Sequence, residues 1–202
     1  MAALYDRFMR GSEEACLGAW RRELLRDLAG EVLEVGAGTG MTLEHYPRNL
    51  KRLVLCEPDP HMRRKLRGKV EASSLLNVEI SDAAVESLSF APNSFDAVVS
   101  SLVLCSVPDQ AKALAQLRWV LKPGGRLVFL EHVAADNRPG RLKWQRRIEP
   151  LWKHLMGNCH LTRRTESALE SAGFRIERIQ RESIRKALPI VRPSIRGIAR
   201  KL

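Results

Sequence analysis

Two hydrophobic rhythms alternate along the chain. Short apolar, β-favouring runs lie at Glu31 to Val35, Arg52 to Cys56, Asn77 to Ile80, Phe95 to Ser101 and Arg126 to Leu130. Stretches of helical spacing separate them. Leu17, Trp20, Leu24 and Leu28 recur at steps of three and four and place a buried face on a segment spanning residues 3–28. Glycine at Gly30 ends that segment. A helix is expected from Met41 or Thr42 to Tyr46, stopped by Pro47, and another from His61 to Val70 with Asp59 as its cap. A third runs from Gln110 to Leu121, buries Ala113, Leu114, Leu117, Val120 and Leu121, and stops at Lys122-Pro123-Gly124-Gly125.

The rhythm breaks between residues 136 and 161. Trp144, Ile148, Trp152 and Leu155 keep helical spacing, but Pro150 lacks an amide hydrogen, so two short helices are expected. Thr162 is the expected cap of a further helix ending at Ala172-Gly173. Strand-like segments at Phe174 to Gln180 and Ser194 to Arg200 close the chain. The pattern predicts an α/β fold: a doubly wound, mainly parallel seven-stranded sheet, helices on both faces, and a late antiparallel strand pair. One domain over residues 1–202 is expected. Residues 1–29 form its N-terminal helical segment, and residues 136–163 a helical cover over the strand ends.

Composition narrows this picture. The 202 residues are 45% hydrophobic and 28% charged, as expected of a globular protein. No apolar run reaches membrane-spanning length, and no signal-peptide pattern is visible. Cys16, Cys56, Cys105 and Cys159 lie far apart without a CxxC pair. That spacing argues against a structural zinc site and a disulfide scaffold and fits a reducing, cytoplasmic setting. The net charge of +11 allows contact with an anionic membrane surface. Nucleic acid is a poor fit, because aromatic residues do not interleave the basic clusters.

The chemistry gathers at the carboxyl ends of the expected strands, where ligands bind in such sheets. The first strand runs into Gly36-Ala37-Gly38-Thr39-Gly40, whose alternate glycines let backbone turn sharply and approach a ligand. Glu57 ends the second strand about 20 residues later, the position from which a carboxylate meets a ribose in nucleotide-binding sheets. Asp82 and Ala83, Ser101 and Leu102, and Glu131 and His132 end the later strands. Tyr5 could fold over a bound ligand.

The segment Glu34-Val35-Gly36-Ala37-Gly38-Thr39-Gly40 resembles the first motif of class I S-adenosylmethionine-dependent methyltransferases, which have a Rossmann-like fold. Glu57 matches their ribose-binding acid, Asp82-Ala83 the segment that meets the adenine, and Leu121 to Gly125 the turn before the fifth strand. Further segments resemble the methyltransferase-like 7 family of thiol S-methyltransferases. They are Leu102 to Val107, Glu131 to Ala134, Trp144-Gln145, Glu149-Pro150, Trp152-Lys153-His154, and Cys159 with Leu161-Thr162-Arg163. The chain departs from that family in lacking its N-terminal hydrophobic anchor. It also carries Asn158-Cys159-His160 where the animal members have a glycine and paired cysteines.

The resemblance implies S-adenosyl-L-methionine as cofactor, bound by Glu34, Gly36, Ala37, Gly38, Gly40, Glu57, Pro58, Asp82, Ala83, Ser101 and Leu102. It implies methyl transfer to a small lipophilic acceptor, most simply a thiol. Such an in-line displacement needs alignment and exclusion of water rather than a metal. His132 is the leading candidate to take the acceptor's proton or orient it, and His154 is a second. Trp144 and Trp152 are candidates to line the acceptor pocket. Cys159 reads as a small buried hydrophobe. Alternatives are N- or C-methylation of a phospholipid head group or quinone, and a non-catalytic S-adenosylmethionine-binding protein.

Overall fold

The computed structural model describes the backbone from Ala2 and side chains from Asp6; the side chain of Tyr5 lies outside the described residues. Strands β1 (Glu31–Val35), β2 (Arg52–Cys56), β3 (Val78–Ser81), β4 (Phe95–Ser101), β5 (Leu121–His132), β6 (Phe174–Ser183) and β7 (Pro193–Lys201) form one sheet. Its order is β3-β2-β1-β4-β5-β7-β6. The first five strands are mutually parallel, and β7 runs antiparallel to both β5 and β6. The seven-stranded, mainly parallel sheet with a late antiparallel pair is therefore present.

Side chains alternate across a strand, so each central strand feeds two cores. Leu33 and Val35 of β1 join Val54 and Cys56 of β2 on one face, while Val32, Leu53 and Leu55 point to the other. The first face packs against α4 (Gln110–Val120) and α6 (Thr165–Ser171) through Leu114, Leu117 and Leu169. The second packs against α2 (Gly18–Leu25) and α3 (Pro60–Glu71) through Trp20, Leu24 and Leu66. Asp59 caps α3 by accepting from the N–H groups of His61 and Met62.

Three expectations need correction. The segment after the glycine turn is a single 3₁₀ turn, Leu43–His45, because Thr42 and Tyr46 are pinned inward by their side chains. The expected N-terminal helical segment is present, as α1 (Ala2–Ser12), a π-helical turn at Glu13–Leu17, and α2 in unbroken succession. Pro150 does not divide the cover: α5 (Pro139–Leu155) is continuous. The proline ring falls on an exposed face, and buried Gln145 ties the helix down by bonding Ala135 N–H and the Val133 and Ile190 carbonyls. Arg164, not Thr162, precedes α6; Thr162 N–H is taken by Glu149. Among the described residues no helix is long and apolar enough to cross a membrane.

Candidate active site

Strand register brings the expected cofactor residues together. Val35 pairs with Cys56 and Ser100, and Cys56 pairs with Ser81, so these four strand ends form one row. Gly36, Glu57, Asp82 and Ser101 are the next residues along each strand. The row continues through backbone bonds from Ala37 N–H to Cys56 O at 2.9 Å and from Glu57 N–H to Ser81 O at 3.0 Å.

The glycine turn has two distinct needs. Gly36 has φ +60° and a Cβ there would strike Val103 at 2.5 Å, so this glycine serves close packing. Gly38 has φ +58° and faces open space; a Cβ at this position would meet no atom nearer than 4.0 Å. Its N–H donates to Glu57 Oε2 at 2.7 Å, and Asp59 N–H donates to the other oxygen at 2.8 Å. The Glu57 carboxylate is thereby fixed beside the open backbone of Gly38, and burial raises its pKa. A buried, oriented acid at this point fits a ribose diol. Pro58 and Asp82 are exposed, and Ala83 is half-buried, around the same strand ends. From above, Asp6 of α1 accepts from Thr39 Oγ1 at 2.5 Å and pairs with Lys65 at 3.3 Å, which straps α1 over the glycine turn.

Glu34 does something different from its neighbours. Its carboxylate is fully committed to Thr42 at 2.7 and 2.8 Å and to Tyr46 at 2.9 Å, so it holds the loop behind the turn. Burial raises its pKa to about 6, against the hydrogen bonds from Thr42 and Tyr46. An acid that binds its proton more tightly when folded opposes folding as pH rises through its unfolded and then its folded pKa. The rise corresponds to about 2 kcal/mol lost between about pH 4 and about pH 8. Glu34→Gln is expected to remove that loss. Denaturant titrations at both pH values check it, and an unchanged pH slope in the variant would contradict it.

The neighbouring part of the site is built around Glu131. This buried carboxylate accepts from Ser100 Oγ at 2.8 Å and from the backbone N–H groups of Val103, Leu104 and Cys105 at 3.2, 3.1 and 3.4 Å. It shapes the turn after β4, in which Leu102 adopts φ +61°. That turn brings Leu102 and Cys105 to a cavity of 350 Å³. Phe8 and Met9 of α1, Trp152 and Met156 of the cover, and Ile184 make the lining mainly apolar, with Ser12, Ser106, Lys186 and Arg192 as its polar wall. Within it His132 Nε2 meets Cys159 Sγ at 2.8 Å, with Cys105 beside them. Of the two thiols, Cys159 is pulled down by the hydrogen bond from Cys105 and by His132, while Cys105 is pushed up.

His132 thus stands where the sequence placed it, at a strand end beside Leu102. His154 does not: it is exposed on α5, outside the cavity lining, because the continuous helix turns that position to solvent. Trp152 lines the cavity and Trp144 is exposed. Cys159 is a half-buried polar partner of His132 rather than a core hydrophobe. Neither the clamping role of Glu131 nor Cys105 as a wall residue was anticipated from sequence; the acid followed by a histidine at a strand end was the available signal.

A family model described as a methyltransferase domain matches residues 33–129. The human thiol S-methyltransferase TMT1A is 37% identical over 191 residues, covering 90% of this chain and 78% of the relative. The demethylmenaquinone methyltransferase of Thermobifida fusca is 33% identical over 149 residues, covering 73% of this chain and 60% of the relative. Among solved structures, a methyltransferase of Thermotoga maritima superimposes with a TM-score of 0.69 over 99% of this chain and 95% of that one. At 18% identity that likeness concerns the fold.

Proposed function

The chain belongs to the S-adenosylmethionine-dependent methyltransferases, in the family of the thiol S-methyltransferases, and on that footing we propose that it methylates the sulfur of small lipophilic thiols. The observation that carries this reading is the mainly apolar cavity in which the His132–Cys159 contact lies beside Leu102, at the expected cofactor end of β4. S-adenosylmethionine supplies the methyl group as a sulfonium. Glu57 and the Gly36–Gly40 backbone would hold the cofactor, with Asp82 and Ala83 beside them. The cavity wall desolvates the acceptor, and the His132–Cys159 spot receives its sulfur and proton.

A series of straight-chain alkanethiols tests the cavity. Each added methylene is worth about 0.8 kcal/mol on burial, so KM should fall about fourfold per carbon until the cavity is filled. A KM independent of chain length would overturn the assignment of this cavity to the acceptor. His132→Ala is expected to lower kcat by roughly 100-fold while changing cofactor affinity less than about twofold. Calorimetry with S-adenosylmethionine and initial rates separate the two effects; an unaltered kcat would leave His132 a purely structural residue.

A second reading, methylation of a quinol or a lipid head group, is favoured by the likeness to the demethylmenaquinone methyltransferase. The face of α5 that carries exposed Trp144, Leu151 and Leu155 among basic residues also supports contact with an anionic membrane surface. A protein that binds S-adenosylmethionine without turnover would bind cofactor normally and methylate none of these acceptors.

A further inference from the structure

We propose that Cys105, His132 and Cys159 form a three-ligand site for a thiophilic divalent ion, zinc by its donor set, with a fourth position open to the apolar cavity. The sulfur and nitrogen donor atoms of the three residues all lie within 4.8 Å of one another. In a tetrahedral zinc site, bond lengths of about 2.3 Å to sulfur and about 2.0 Å to nitrogen put donors roughly 3.5–3.8 Å apart. The His132–Cys159 contact at 2.8 Å need open by less than about 1 Å, and the widest separation need close by about as much.

The three segments are already fixed. Glu131 clamps the turn that carries Cys105, and His160 N–H donates to Cys105 O at 2.8 Å. Asn158 donates to Ser106 O at 2.9 Å, so the loop bearing Cys159 is docked onto the loop bearing Cys105 by bonds on both sides of the thiol. His132 sits in β5, paired with Ser194 of β7. Its Nδ1 is buried without a partner, so no hydrogen bond commits the ring to a tautomer that would deny Nε2 to an ion. Two thiolates and an imidazole suit zinc and not magnesium or calcium, which take oxygen. Two cysteines, one histidine and one open position is the arrangement of a catalytic rather than a closed structural zinc site.

Only the catalytic consequence rests on the thiol reading; ion binding does not. With an ion bound, His132 Nε2 would be a ligand and no longer the proton acceptor: a thiol entering the cavity would bind the ion through sulfur, and its proton would pass to solvent. The sulfur pair then attacks the sulfonium methyl group. A carbon–sulfur bond to the acceptor forms, the methyl–sulfonium bond breaks, and S-adenosylhomocysteine and a neutral thioether leave.

The test is cobalt titration of the reduced, metal-free protein without cofactor or acceptor, followed by optical absorption. The expected result is one ion per chain, with thiolate-to-cobalt charge transfer and tetrahedral visible bands that zinc displaces. Cys159→Ser and, separately, His132→Gln should weaken binding by more than about tenfold, the low end of what even outer partners of a metal site cost. Cys16→Ser, on α1's side of the fold, should bind as the parent does. Absence of these bands in the folded parent, or bands undiminished in both variants, would overturn the site. So would a Cys105–Cys159 disulfide that persists under reductant, seen by mass. Metal binding without thiol turnover would instead overturn the acceptor reading alone.

Discussion

Glu57→Ala is expected to raise the dissociation constant for S-adenosylmethionine by roughly 100-fold without unfolding the protein. The carboxylate is held by Gly38 and Asp59 N–H groups and faces backbone that no side chain covers. Its loss removes charge-assisted hydrogen bonds to a ribose worth about 3 kcal/mol in sum. It also frees the two N–H donors that orient the turn. Those donors lie near the rim of the site, where water can reach them once the cavity is empty, so the thermal midpoint should drop only slightly. Glu57→Gln should fall between, since an amide keeps one acceptor but turns a donor toward Gly38 or Asp59. Calorimetric titration of the three proteins checks the order. An affinity for Glu57→Ala within about threefold of the parent would remove Glu57 from the cofactor site.

Glu131→Ala should have the largest effect on stability, a loss of about 3 kcal/mol or more. Four donors converge on this buried carboxylate, and removal of the acceptor leaves Ser100 and three backbone N–H groups unpaired. The turn they hold carries Leu102 and Cys105 into the cavity, so thiol turnover should fall with stability. Glu131→Gln retains an acceptor at the oxygen that three of the donors share. Burial already raises the pKa of this acid, so loss of its charge costs less than loss of its oxygen. Most of the stability should return in that variant. Chemical denaturation measures it, and equal losses for Ala and Gln would mean that the clamp acts through charge rather than through hydrogen bonds.

The sheet was legible because its strands are short apolar runs that end at turn residues, and because strand ends at matching register collect ligand-binding residues automatically. Gly36, Gly38 and Glu57 could be placed at those strand ends for that reason, the glycines by the demands of backbone space. Proline was overweighted at Pro150: the cost of a missing N–H is local, while Gln145 secures the helix from the opposite face. The 3₁₀ turn after Gly40 was hidden because nothing in Thr42 or Tyr46 announces a partner in Glu34. Cys105, His132 and Cys159 converge from a turn, a strand end and a loop. His132 and Cys159 are 27 residues apart, and no local spacing records a meeting made by tertiary structure.

The most direct test offers labelled S-adenosylmethionine with alkyl and aryl thiols, quinols, phospholipid vesicles and RNA in parallel, and identifies the methylated product by mass. The expected products are S-methyl thioethers from the lipophilic thiols, formed faster than any other product and lost in His132→Ala. Methylation of quinol or lipid with none of the thiols, under conditions where the cofactor binds, would contradict a thiol acceptor.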